Sequence, residues 1–181
     1  TFIGGSENDG LNFRNNYPMS LGNDSLYYNY GDGARGELIV DENDFVYVGS
    51  CTFSNDFPIV NGFQKTNNGK QEGVVFKLSS DLHYLIWSSY YGGNNDDIIN
   101  SIDIDNLRVL YVTGGTNSDS IATSENAYIK TRIGGSSDAF VGTIANDGSK
   151  LLASTYFGAS NYDQSHFVRI DKNRNISFLV R

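Results

Sequence analysis

Residues 82–97 read LHYLIWSSYYGGNNDD, and residues 148–163 read GSKLLASTYFGASNYD. The two stretches align without a gap at a spacing of 66 residues. Identical residues stand at Leu85/Leu151, Ser88/Ser154, Tyr90/Tyr156, Gly92/Gly158, Asn95/Asn161 and Asp97/Asp163. Because a repeat of fixed period reports one structural unit used more than once, it constrains the architecture more strongly than any single motif.

Each unit contains four short segments rich in β-branched and aromatic residues and bounded by Gly, Asn and Asp, which is the pattern of strands and turns. The first unit predicts strands at 37–40, 45–51, 74–78 and 85–91, and the second at 101–104, 109–113, 140–144 and 151–157. None of the segments has a helical apolar stripe. Four antiparallel strands in a repeat of about 66 residues predict an all-β fold built of β-propeller blades.

The whole chain, residues 1–181, is therefore expected to be part of one β-propeller. The expected divisions are the end of a preceding blade at 1–9, an inserted loop at 10–34, full blades at 35–97 and 98–163, and the start of a following blade at 164–181. Residues 1–3 are expected to be the last strand of the preceding blade. Since propellers close with about four to eight blades, the chain is expected to be an excerpt of a longer protein.

Composition narrows the classes of partner. The chain has 21 acidic and 13 basic side chains and a net charge of -8, which disfavours nucleic acid and anionic lipid surfaces. No apolar run reaches the roughly 18 residues that a membrane span needs, so membrane insertion is not expected. The one cysteine, Cys51, excludes an internal disulfide.

The repeated motifs resemble the SBBP β-propeller repeats of very large surface proteins of Bacteroidota. The resemblance rests on SSYYGG at 88–93, IVD at 39–41, VYVG at 46–49, DFP at 56–58, GFQ at 62–64 and VFKL at 75–78, and it covers nearly the whole chain. It is closest to propellers of proteins that carry a gliding-motility-associated C-terminal sorting domain. It implies secretion by the type IX system and display on the exterior of the outer membrane.

The second unit departs from this pattern at two places. Ser120-Ile121-Ala122 stands where the motif has DFP, and Gly158-Ala159 replaces the double glycine. The turns of the second unit are therefore expected to differ there. The repeats of the family are a scaffold rather than a catalytic signature, and a fold alone does not specify a function.

Long connections between second and third strands, together with the insertion at 10–34, are expected on one face of the propeller. Loops on a rigid scaffold carry binding more often than the scaffold does. The insertion contains Tyr17, Tyr27, Tyr28 and Tyr30, whose rings could stack on a glycan or pack against a protein. The alternative is that these tyrosines pack the insertion onto the edge of its own blade.

Acidic residues recur after the glycine turns. Asp9, Asp96, Asp97 and Asp163 are weak candidates for calcium, which prefers oxygen ligands. They do not match the spacing of a calcium-binding loop, so capping of backbone N–H groups in turns is the competing interpretation. No other cofactor is expected.

Catalytic motifs are not apparent in the sequence. The histidines, His83 and His166, share no motif with a serine or cysteine. The sequence therefore predicts a non-enzymatic recognition or adhesion scaffold, linked to gliding motility or type IX secretion. Its expected partner is an extracellular protein or glycan, with the secretion machinery as a further candidate. A propeller enzyme acting on polysaccharide and a passive stalk or cargo domain are the alternatives.

Overall fold

A computed structural model describes residues 1–10 and 36–180, and every regular element within them is a β-strand. The strands are β1 Glu37–Val40, β2 Val46–Thr52, β3 Glu72–Leu78, β4 Leu85–Tyr91, β5 Asp97–Ile104, β6 Leu110–Thr116, β7 Asp138–Ile144, β8 Leu151–Phe157, β9 Ser165–Ile170 and β10 Ile176–Val180. The all-β class expected from the repeat is confirmed. No helix in this part of the chain could cross a bilayer.

The strands form two four-stranded antiparallel sheets and a hairpin. The first sheet has the order β1-β2-β3-β4, the second β5-β6-β7-β8, and β9 pairs with β10. Within each sheet every strand pairs with the next strand in the chain, and no connection crosses over another strand. The two sheets correspond to the two full units of the repeat, so each unit of sequence is one unit of structure.

The fifth strand begins earlier than its sequence predicted. The expected strand at 101–104 extends back to Asp97, and a bulge lies between Ile99 and Ser101. The sequence pattern breaks at Asn100 because its polar side chain interrupts the apolar run. In the structure Asn100 is the extra residue of the bulge, and its Nδ2 donates to the carbonyl oxygen of Ser165 at 2.8 Å.

Residues 1–3, expected as the last strand of a preceding blade, form no strand in the structure. A strand needs backbone hydrogen bonds to a neighbouring strand, and none is formed by these three residues among the described part of the chain. Ile3 nevertheless packs against a small cluster formed by Phe57, Val74 and Tyr90 of the first unit.

One turn design recurs between the first and second strands of each unit. An aspartate, at Asp41, Asp105 and Asp171, accepts the backbone N–H groups two and four residues later at 2.8–3.0 Å. The residue three positions after each aspartate has a positive φ, namely Asp44 at 64°, Arg108 at 61° and Arg174 at 67°. Aspartate side chains stabilise such turns by replacing a backbone acceptor.

The two sheets pack face to face through an aromatic and aliphatic core. Tyr47, Val75, Trp87 and Tyr91 of the first sheet are buried with Ile99, Ile102, Leu110, Val112, Phe140, Ile144 and Tyr156 of the second. Tyr91 meets Phe140 edge to face, with ring centroids 4.9 Å apart, and its hydroxyl lies 2.6 Å from the Ser154 hydroxyl. Gly49 permits this approach, since a Cβ there would stand 2.7 Å from the Ile102 side chain.

The turn between β7 and β8 docks on the first sheet. Trp87 Nε1 donates to the carbonyl oxygen of Asn146 at 2.8 Å. The Asn146 side-chain oxygen accepts from the Tyr47 hydroxyl at 3.0 Å and from Lys77 Nζ at 3.1 Å. Gly148 follows with φ 73°, and a Cβ on it would lie 2.7 Å from Trp87 Cγ. The turn therefore needs glycine at this position because of its closeness to the indole, and glycine adopts the positive φ without strain.

The long connections at 53–71 and 117–137 run along the outer edges of the sheets. Beside β4, the Ser88 and Tyr90 N–H groups donate to the Val60 and Gln64 carbonyls at 2.8 and 3.2 Å. Beside β8, the Tyr156 N–H donates to the Ile129 carbonyl at 3.0 Å. An exposed strand edge invites pairing with other chains. These loops therefore cover the edges of β4 and β8. The sequence predicted only that they are long connections.

The tyrosine of the repeated motif anchors the same loops. Tyr90 donates its hydroxyl to the Ser54 carbonyl at 2.9 Å and accepts from the Phe57 N–H at 3.1 Å. Tyr156 makes the equivalent bonds with Ser118 at 2.9 Å and Ile121 at 3.0 Å. The turns themselves differ, as expected, since the first unit has a turn at 55–56 and the second has none at 120–122. The two bonds to the tyrosine are nevertheless kept, because a backbone N–H can be presented by any residue except proline.

Gly62→Ala is expected to lower the free energy of unfolding by about 1–3 kcal/mol, because overpacking displaces backbone. A Cβ at Gly62 would collide with the Ser88 carbonyl oxygen and stand 3.0 Å from Ser89 Cα. Urea denaturation followed by circular dichroism measures the effect, and Val60→Ala in the same loop is the control. Equal stability of the two variants would show that the loop is not closely packed against β4 at Gly62.

Candidate functional site

The tyrosines expected to bind ligand lie outside the described residues. Tyr17, Tyr27, Tyr28 and Tyr30 belong to residues 11–35. Their role in recognition stays a prediction.

The acidic calcium candidates are distributed over three turns. Asp9, Asp97 and Asp163 each accept a backbone N–H four residues earlier, from Gly5 at 2.8 Å, Gly93 at 2.8 Å and Ala159 at 2.7 Å. Asp96 accepts instead from the Gln71 N–H at 3.1 Å. Among the residues that the structure describes, no group of three or more His, Cys, Asp or Glu could hold a metal ion. The arrangement is that of turn-capping carboxylates.

The structure brings together a carboxyl pair that sequence reasoning missed. Glu72, at the start of β3, and Asp97, at the start of β5, meet across Gly92. A Cβ on Gly92 would lie 2.7 Å from Glu72 Oε1 and would collide with Asp97 Oδ2. Asp138 and Asp163 repeat the arrangement across Gly158, where a Cβ would stand 2.9 and 3.2 Å from their oxygens. The sequence contained one indication of this recurrence: Glu72 and Asp138 are 66 residues apart, which is the period of the repeat.

Burial has the largest influence on the pKa values of Glu72, Asp97 and Asp138. Burial, followed by the nearby Asp97 charge, raises the pKa of Glu72 to about 8. Burial also raises the pKa of Asp97 to about 6, against hydrogen bonds from Thr116, Gly93 and Ser118. At Asp138 the pKa is raised in the same direction, again chiefly by burial. A buried carboxyl favours its protonated form because its charged form is poorly solvated there. A second negative charge nearby acts in the same direction.

These pairs have little access to a ligand. Glu72, Asp97 and Asp138 are fully buried, and Glu72 is further enclosed by Gln64, whose Nε2 donates to it, and by the Gly69 N–H at 3.2 Å. Glycosidase carboxyls must contact the sugar on both sides of the scissile bond. In this conformation each pair lies where the third strand of one unit comes close to the start of the next unit.

An accessible polar site lies on the first strands of the three units. Glu37 on β1 accepts from the Ser101 hydroxyl and the Ile102 N–H, the latter at 2.8 Å. Arg169 on β9 reaches the same carboxylate, with Nη2 to Oε1 at 2.8 Å. The Ser101 hydroxyl in turn accepts from the Val168 N–H at 3.1 Å. We call Glu37, Ser101 and Arg169 the inner-strand triad.

The inner-strand triad is charged and partly exposed. Burial acts to raise the pKa of Glu37, but hydrogen bonds from Arg169, Ser101 and Ile102 outweigh it and hold the pKa below its usual value. The Arg169 side chain is 57% exposed. The triad thus joins strands of three units through an ion pair that is partly exposed to solvent.

Comparison with models of known protein families gives no match, and a search of curated proteins finds no significantly similar sequence. The resemblance to SBBP repeats therefore rests on the motif residues alone.

Proposed function

We propose that the chain is a β-propeller segment that serves as a non-catalytic recognition or adhesion scaffold of a secreted, cell-surface protein. The motif residues support a scaffold role. Tyr90, Tyr156, Asp97 and Asp105 are all engaged in backbone hydrogen bonds that shape turns or cover strand edges. Repetition of these contacts in both units is what a structural repeat requires.

One ion pair carries the propeller proposal. Glu37 belongs to the first unit and Arg169 to the third, yet they are joined at 2.8 Å across the edge of the second. Stacked sheets lie about 10 Å apart, so parallel stacking would separate the first and third units by roughly 20 Å. Direct contact between their first strands is expected when the units radiate from a common axis, with the first strands innermost.

The cellular setting is proposed from the resemblance to SBBP repeats. That resemblance favours export by the type IX system, display outside the outer membrane and a link to gliding motility. A net charge of -8 suits an extracellular protein or glycan better than a polyanion. The proposed contact surface is the tyrosine-rich insertion formed by Tyr17, Tyr27, Tyr28 and Tyr30.

Affinity electrophoresis tests the proposed contact surface. The full chain is expected to be retarded in a native gel containing laminarin, arabinoxylan or gastric mucin. A variant with all four insertion tyrosines replaced by alanine should lose the retardation and keep its melting temperature, because stacking on a sugar ring needs the aromatic face. Tyr84→Ala, a 68% exposed tyrosine in the β3–β4 turn, is the matched control.

Either of two results would overturn the proposal. The first is unchanged mobility of the parent chain in every gel, or equal retardation of the parent and the fourfold variant. The second is release of reducing sugar from the polysaccharides, which would favour a propeller enzyme. Loss of the cooperative melt in the fourfold variant would instead show that the tyrosines pack the insertion onto its own unit.

A further inference from the structure

A buried amine lies at the contact between the two sheets. Lys77 on β3 is 5% exposed, and its Nζ stands 4.4 Å from the centre of the Phe45 ring and 4.6 Å from that of Tyr47. Its charged partner is Asp41, with Oδ2 3.9 Å from Nζ. Burial lowers the pKa of the Lys77 amine against the opposing Asp41 charge, and the Arg108 charge adds to the lowering. Desolvation of this kind favours the neutral, nucleophilic form of a lysine.

The fold does not require a lysine at this position. In the strand register Thr143 opposes Tyr111 in the second unit, where Lys77 opposes Tyr47 in the first. Asp105 of the second unit still accepts from the Tyr111 hydroxyl at 3.2 Å. The aspartate and tyrosine are therefore features of the repeat, whereas the lysine is specific to the first unit. Burial of an ammonium costs free energy, so the lysine calls for an explanation other than folding.

A side-chain amide of the second unit lies against this amine. Asn146 Oδ1, in the turn between β7 and β8, is 3.1 Å from Lys77 Nζ and 3.0 Å from the Tyr47 hydroxyl. The Asn146 backbone is held by the hydrogen bond from Trp87 Nε1 at 2.8 Å. Because a C=O bond is about 1.23 Å long, Asn146 Cγ is at most about 4.3 Å from Nζ. That limit includes the separation of about 3–3.5 Å at which positioned groups react.

We propose that Lys77 and Asn146 form an intramolecular isopeptide bond that covalently joins the first unit to the second. The Lys77 ammonium first gives one proton to Asp41, and the neutral amine then attacks Asn146 Cγ. A bond forms between Nζ and Cγ, and the bond between Cγ and Nδ2 breaks. Asp41 protonates the departing nitrogen and takes up the proton that Nζ loses as the amide forms. Ammonia leaves with that last proton as ammonium, so the reaction needs no oxidant or cofactor.

The groups around the amine are placed for these proton and charge movements. The Tyr47 hydroxyl donates to the Asn146 amide oxygen, where negative charge develops during the attack. Asp41 uses Oδ1 to accept the Asn43 and Phe45 N–H groups at 2.9 and 3.0 Å, which leaves Oδ2 facing the amine. Asn146 is only partly buried, so the released ammonia has a path to solvent.

The bond would give the contact between the units a covalent connection. It would join positions that are 69 residues apart, and a cross-link over a long stretch restricts the unfolded chain. The first and second units would then stay connected when the packing between their sheets is disrupted.

Mass spectrometry of the full chain under denaturing conditions tests this inference. After incubation of the folded protein at pH 8, the chain is expected to be lighter than its sequence mass by one ammonia. Proteolysis should then give a branched fragment in which residues 77 and 146 are joined. Lys77→Arg and Asn146→Ser are expected to keep their full sequence masses. Lys150→Arg, which changes an exposed lysine beside the same turn, is the control and should still lose ammonia.

The rate of the mass change tests the roles of the neighbouring groups. Asp41→Asn keeps an oxygen to cap the turn but cannot take up a proton, so it should slow bond formation at least about a hundredfold. Tyr47→Phe removes the donor to the amide oxygen and should slow it by about a hundredfold.

Two results would overturn the inference. The first is a full sequence mass for the folded parent chain after the incubation. The second is a loss of ammonia that persists in Lys77→Arg or gives no branched fragment, because cyclisation of an asparagine onto its own backbone loses the same mass without joining two segments.

Discussion

Trp87→Ala is expected to lower the free energy of unfolding by about 3–5 kcal/mol, the range for removing a large buried aromatic side chain. Trp87 is 1% exposed and lies at the contact between the two sheets, edge-on to Tyr47 with centroids 6.5 Å apart. Its loss removes the hydrogen bond to Asn146 as well as the surface on which Gly148 rests. The turn between β7 and β8 would then lose its packing surface on the first sheet.

Urea denaturation followed by far-ultraviolet circular dichroism measures the effect of Trp87→Ala. Trp87 is the one tryptophan of the chain, so tryptophan fluorescence cannot follow the variant. Ile86→Ala, next to it in β4 but partly exposed, is the control and is expected to cost less than about 1 kcal/mol. A difference between the two variants below about 1 kcal/mol would mean that the two sheets are not held together at this contact.

Glu72→Gln is expected to make the protein more stable at pH 8 and to flatten the fall of stability between pH 4.5 and pH 8. In the native state burial, with the Asp97 charge, raises the pKa of Glu72 to about 8, while an unfolded glutamate titrates near 4.3. Between these values the native state binds a proton that the unfolded state has released. Stability from this group is therefore complete below about pH 4 and lost as the pH rises through 8.

The expected size of the Glu72 effect is about 2–4 kcal/mol between the two ends of the pH window. Glutamine has the shape of the protonated acid, so it can still accept from Gln64, and it carries no charge beside Asp97. Melting temperatures of the parent and the variant are compared from pH 4.5 to 9. The exposed Glu125→Gln is the control, and parallel curves for the parent and Glu72→Gln would contradict the buried-carboxyl argument.

Local features of the fold were readable from the sequence. The bounds of β1, β4 and β8 coincide with the expected strands because alternation of apolar residues and flanking Gly, Asn and Asp are properties of a short stretch of chain. The turn-capping role of Asp97 and Asp163 could also be anticipated, since the carboxylate bonds to a backbone group only four residues away. Such contacts are set by neighbours in the chain.

The candidate site was less accessible to sequence reasoning. Glu72 and Asp97 are 25 positions apart, and Glu37 and Arg169 are 132 positions apart. No local pattern reports such pairs, because they form only when several strands have paired and the units have packed. The path of the long loops was missed for the same reason, since the N–H groups that attract them belong to the far edge of another strand.

The sequence by itself determined the repeat, the strands and their turns, because each of these follows from residue types within one stretch of chain. Only the tertiary structure decided which carboxyls are buried together and where the first strands of the three units meet. The physical reason is that burial, pKa and surface complementarity depend on atoms from distant segments, and their positions are fixed only when the sheets pack.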